Sequence, residues 1–163
     1  ALLYEGRGRQ LVLRLKHGDR HDIVHPAALW MAQRAREFLC EDTLIAPIPL
    51  HWTRFLRRRF NQSALLARAM ATNLEVEYVP DLLLRHRATV SLDGKGRDER
   101  FRNLADSMGI NPVFRDKMRD RPVLIVDDVM TSGATFAAAS CACLAAGASQ
   151  VNVIALARVA KLP

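Results

Sequence analysis

Residues 122–135 read PVLIVDDVMTSGAT. Val123 to Val126 is an unbroken apolar run, the pattern of a central parallel strand covered on both faces. Two adjacent carboxylates, Asp127 and Asp128, follow it. A loop carrying Thr131, Ser132, Gly133, Ala134 and Thr135 then leads into an alanine-rich helix predicted to run to Ala146, where Gly147 stops it. Val151 to Ala157 supplies a further strand. Strand, loop, helix and strand in this order predict an α/β fold with a mostly parallel sheet. Ligands of such folds sit beyond the carboxyl ends of the strands, where this reading puts the aspartates, exposed at the mouth of a pocket. Like charges side by side need a positive or hydrogen-donating group to face.

Upstream, Ile23, Ala27, Met31, Ala35 and Phe38 recur at helical spacing and predict an amphipathic helix over 23–39. Leu11 to Leu15 fits a helix better than a strand. Leu44 to Ile48 reads as a short strand ended by Pro47 and Pro49. A helix over 62–74 has Asn61 as its N-cap, with ligand contact by Asn61 or Gln62 a secondary role. Val76 to Val79 and Leu82 to Arg85 resemble strands. The stretch 86–103 (HRATVSLDGKGRDERFRN) is polar, basic and glycine-punctuated, as a mobile loop would be.

The length of 163 residues suits one domain spanning 1–163. Twenty-four Lys and Arg against 17 Asp and Glu leave a net charge of +7, which favours a polyanionic partner, either nucleic acid or a phosphorylated small molecule. No apolar run is long enough for a membrane span. Cys40, Cys141 and Cys143 lack metal or disulfide spacing and read as buried thiols of a reducing compartment, hence a cytoplasmic protein. His17, His21 and His25 recur every fourth residue, but Gly18 and Asp19 interrupt the helix that would align them, so no protein-ligated metal is expected. Arg54, Arg57, Arg58 and Arg59 beside Trp52 and Phe55 suit pyrophosphate or single-stranded nucleic acid.

Several chemistries end an apolar strand in two acids. A phosphorelay receiver needs its phosphoacceptor on a later strand, and no acid follows Asp128. A nucleoside triphosphatase needs GxxxxGK[ST], which is absent. Acids that merely cap a solvated strand end would leave the hydroxyl-glycine loop a coincidence. A sugar phosphate matches both halves of the motif, because its hydroxyls donate to the acids and its phosphate accepts from the N–H groups at the helix start.

VLIVDDVMTSGAT resembles the phosphoribosyl-pyrophosphate signature of type I phosphoribosyltransferases. APIPLHWTRFLRRRFNQSALLARAMA, YEGRGRQLVLRLKHGD and RHRATVSLDGKGRDERFRNL are similar to the ComF (competence protein F-like) branch of that superfamily. The chain departs from the branch at Arg59, commonly glycine, at Leu92, commonly glutamine, and in having no cysteine-rich zinc ribbon. The resemblance implies a central parallel sheet flanked by helices, with a small hood built of the N-terminal helices and residues 86–103. It implies phosphoribosyl transfer to a nitrogen nucleophile, with Mg²⁺ carried by the substrate. Asp127 and Asp128 become the catalytic pair facing the ribose hydroxyls, and Val129, Met130, Thr131, Ser132, Gly133, Ala134 and Thr135 the 5′-phosphate segment. Pro49, Leu50, His51, Arg58, Arg59, Arg85, Arg87, Lys95, Arg97 and Arg100 are candidates for the pyrophosphate. The rival reading is a non-enzymatic module for single-stranded DNA; a homodimer is a further expected partner.

Overall fold

The apolar run at 123–126 lies at the centre of a sheet, as its pattern requires. A computed structural model describes residues 2–16, 21–50, 60–85 and 108–160. In it β6 (Pro122–Met130) is flanked by β7 (Gln150–Arg158) and β2 (Leu44–Pro47). With β1 (Leu2–Leu3) and β3 (Glu77–Tyr78) they form a five-stranded sheet in the order β1-β7-β6-β2-β3. Every pairing in it is parallel.

Alternate residues of β6 feed two cores, one on each face. Leu124 and Val126 pack with Val12 and Leu15 of α1 (Gly6–Lys16), Met31 of α2 (Val24–Ala35), and Leu66 and Met70 of α3 (Gln62–Leu74). Val123 and Ile125 pack with Met118 of α4 (Arg115–Met118) and with Phe136 and Ala139 of α5 (Ala134–Ala145). The same side takes in Leu83 and Met108 of a separate antiparallel ribbon, β4 (Leu83–Arg85) with β5 (Met108–Ile110). Both faces of the sheet are therefore covered, which is why its central strand can be wholly apolar.

The structure corrects several expectations. Strand β6 does not end at Val126 but runs through both acids to Met130, because β7 keeps pairing as far as Met130↔Arg158. Its other neighbour, β2, stops at Pro47↔Val126, after which only the Ile48 N–H still donates to the Val126 carbonyl, at 2.8 Å. The N-terminal helices, expected in a hood, instead build about half of the core on one face of the sheet. Helix α2 ends at Ala35, and a 3₁₀ turn carries Arg36–Phe38. Cys40 and Cys141 are exposed and Cys143 alone is buried, since positions two apart on a helix face different ways. Strands β1 and β5 are too short to leave a pattern in the sequence. No helix among the described residues is long and apolar enough to cross a membrane. The expected loop at 86–103 and the basic cluster at 54–59 lie outside the described residues.

Candidate functional site

Where β2 stops, β6 loses a neighbour and a gap opens beside its acids. Asn61 sets the wall of that gap. Its Oδ1 accepts from the Ser63 N–H at 3.0 Å, capping α3, while its Nδ2 donates to the Ile48 carbonyl at 3.0 Å. The start of α3 is thereby pinned to the end of β2, and Gln62 and Ser63 are held inside at 1% and 3% exposure.

Ser63 Oγ donates to Asp127 Oδ1 at 2.8 Å, and the backbone N–H of Asp128 donates to the same oxygen at 2.8 Å. Lys16, the last residue of α1, holds Asp128 Oδ2 at 3.2 Å. The carboxylates thus face a hydroxyl, an N–H group and an ammonium, two of them from helices far away in sequence. Among the described residues Asp127 Oδ2 and Asp128 Oδ1 have no hydrogen-bond or ion-pair partner, which leaves one acceptor per acid for a ligand.

The pair is not exposed as expected. Asp128 is 8% exposed, and Asp127 is partly buried beside it. Burial first, and then the charge of Asp128, raise the Asp127 carboxyl from 3.8 to about 7. The Ser63 hydroxyl, the Asp128 N–H and the Lys16 charge pull it back only in part. An ionised Asp127 is therefore a strained element of the site, one that a ligand's hydrogen donors would relieve.

A cavity of about 280 Å³ opens on these acids. Its lining includes Tyr4 and Lys16 from the N-terminal segment, and Ile48, Pro49 and Leu50 beyond β2. Gln62, Ser63, Arg85, Val129, Thr131 and Thr135 complete the wall. Gly133 is the N-cap of α5, with φ 80° and ψ −3°, a left-handed conformation that favours glycine. A Cβ there would meet nothing within 4 Å, so backbone conformation rather than crowding demands the glycine. Ser132 Oγ accepts weakly from the Ala134 N–H at 3.4 Å. The next N–H groups of α5 have no acceptor within the helix and stand with its positive dipole end beside Thr131 and Thr135.

Of the residues singled out in the sequence, Asp127, Asp128, Val129, Thr131, Thr135, Pro49, Leu50 and Arg85 come together on this cavity. Ser132 and Gly133 shape the turn, and Ala134 packs in the core. Met130 lines a different cavity of about 490 Å³, with Arg34, Phe38 and Phe136. His51, Arg58, Arg59, Arg87, Lys95, Arg97 and Arg100 lie outside the described residues. Sequence reasoning missed Tyr4, Lys16 and Ser63. The helical pattern around Val12 and Leu15 places Lys16 at the end of α1, but nothing local to it announces a carboxylate.

No family model matches the chain. Over 155 residues it is 35% identical to DNA utilization protein YhgH of Escherichia coli K12, across 91% of this chain and 66% of that protein. Over 127 residues it is 28% identical to competence protein F of Haemophilus influenzae, across 78% of this chain and 55% of that one. The chain thus spans between about half and two thirds of the length of these relatives. Its fold is similar to that of glutamine phosphoribosylpyrophosphate amidotransferase from B. subtilis, with a TM-score of 0.57 and 16% identity over 89% of this chain and 30% of that one.

Proposed function

The chain belongs to the ComF (competence protein F-like) branch of the type I phosphoribosyltransferase superfamily, and from that premise we propose that its cavity binds phosphoribosyl pyrophosphate with Mg²⁺ and transfers phosphoribose to a nitrogen nucleophile. One observation carries the reading: two carboxylates, each with one oxygen unpaired among the described residues, stand beside the glycine-capped N-terminus of α5, in one cavity. Adjacent ribose hydroxyls donate to the acids while the 5′-phosphate accepts from the Thr131–Thr135 turn.

Among the described residues no three His, Cys, Asp or Glu side chains are grouped to hold a metal ion. The oxygens of Asp127 and Asp128 are hard donors of the kind Mg²⁺ accepts, and that ion keeps few protein ligands and is bound largely through substrate phosphates. Asp127 and Asp128 would face it through the ligand's hydroxyls. When bound, the ion supplies neutralisation of pyrophosphate charge. The chain's own contribution is placement. Ser63 and Lys16 fix the acids, the acids fix the sugar, and Arg85 adds positive charge to the same wall. Transfer replaces the C–O bond to pyrophosphate by a C–N bond at the anomeric carbon, through a cationic sugar that the neighbouring carboxylates favour.

Calorimetry with phosphoribosyl pyrophosphate and Mg²⁺ tests the reading. Binding should be saturable and should be lost in Asp128→Asn; a silent titration of the folded parent sinks it. A panel of bases and amines, scored by pyrophosphate release, then identifies the acceptor.

A second reading has its own support. The relatives are named for competence and DNA utilization, and the chain carries a +7 charge. It makes the domain a single-stranded DNA module with a regulatory or vestigial sugar-phosphate pocket. DNA binding that falls steeply with salt and ignores Asp128→Asn, without pyrophosphate release for any acceptor, would favour it.

A further inference from the structure

We infer that Gln62 is a ligand-recognition residue of this cavity, its side-chain amide donating to an oxygen of a bound phosphorylated sugar whose hydroxyls face Asp127 and Asp128. The inference deepens the phosphoribosyl pyrophosphate reading and rests on it. Gln62 is 1% exposed and lines the cavity together with Ser63 and both acids. Its Nε2 is fully buried and has no hydrogen-bond acceptor among the described residues. A buried amide left unpaired is uncommon in folded proteins and opposes folding, so its retention calls for a partner that arrives later.

Among the described residues the fold makes no use of that N–H group. Capping of α3 is done by Asn61, which also secures the end of β2. Holding Asp127 is done by Ser63. Gln62 occupies the first position of α3 between these two. What glutamine adds is a neutral donor beside two acceptors. When ionised, the acids can take only hydrogens from a ligand, whereas the amide N–H requires an acceptor oxygen. A ligand with hydroxyls and further oxygens in one molecule satisfies all three groups together. Such an oxygen exists both on the sugar and on the diphosphate, and the two sources are separable by experiment.

The test combines melting of the ligand-free protein with calorimetry, using Gln62→Met and Gln62→Glu. Free Gln62→Met should melt at or above the parent temperature, since no hydrogen bond is lost. Its affinity for phosphoribosyl pyrophosphate with Mg²⁺ should fall about tenfold or more. Gln62→Glu, with an acceptor and a third negative charge in place of the donor, should fall further. A loss shared by ribose 5-phosphate puts the partner oxygen on the sugar; a loss confined to Mg²⁺-pyrophosphate puts it on the diphosphate. Affinity of Gln62→Met within about twofold of the parent overturns the role of Gln62 alone. So does a clear drop in its ligand-free melting temperature, which would make the amide structural. A parent that binds none of these ligands overturns the underlying reading, and this inference with it.

Discussion

Asp127 is the carboxylate whose charge the fold resists, so its replacement by asparagine exposes what ionising it costs the fold. The parent binds the Asp127 proton more tightly when folded, with the carboxyl at about 7 against an ordinary 3.8. A raised carboxylate contributes stability that is full below the unfolded value and lost as pH rises through the folded one. At roughly 1.4 kcal/mol per pH unit across that window, the loss is on the order of 4 kcal/mol. Asparagine does not titrate, yet its Oδ1 still accepts from Ser63 and from the Asp128 N–H. Asp127→Asn should therefore match the parent near pH 4 and melt higher above pH 7.5, by roughly 8–16 °C for a chain of this size. Because Asp128 and Lys16 are present in both proteins, the difference between the two melting curves reports the ionisation of Asp127 together with its coupling to Asp128. Parallel melting-temperature profiles across pH 4 to 8 would refute the reasoning.

Three further outcomes follow from the same geometry. Lys16→Met strands a nearly buried Asp128 carboxylate, so chemical denaturation at pH 7.5 should show a loss of roughly 1–3 kcal/mol, and an unchanged midpoint would mean that the pair carries no weight. Gly133→Val should cost about 1–2 kcal/mol through its left-handed backbone, since its Cβ meets nothing within 4 Å. Its affinity for phosphoribosyl pyrophosphate should also fall about tenfold; calorimetry showing no change would move the phosphate elsewhere. Finally, Cys40 and Cys141 are exposed, while burial pushes the Cys143 thiol up to about 12. Mass spectrometry after alkylation of the native protein should find those two modified, and Cys143 only after unfolding.

Much of the architecture was legible because it rests on local physics. A four-residue apolar run, a hydroxyl-glycine turn and an alanine-rich helix fix the order of elements within one short stretch. The Asn61 cap was readable for the same reason: its side chain bonds a backbone N–H two residues on. Asp127 and Asp128 stood out because paired carboxylates at the end of an apolar strand have few bland uses. The helical spacing of Ile23, Ala27 and Met31 was equally plain, although not the point at which α2 gives way to a 3₁₀ turn.

What the acids face was decided only in three dimensions. How far β6 runs past Val126 depends on where β7 keeps pairing and β2 lets go, and neither limit is written in β6 itself. Lys16 and Ser63 meet the carboxylates because two helices pack on one face of the sheet, an arrangement set by burial of Leu15 and Leu66 rather than by charge. The same packing seals the Gln62 amide away from water and raises the Asp127 carboxyl. Periodicity and turn chemistry act between neighbours in the chain, so sequence alone determined the elements and the motif. Desolvation and pairing act between neighbours in space, so the electrostatic character of the site belongs to the tertiary structure.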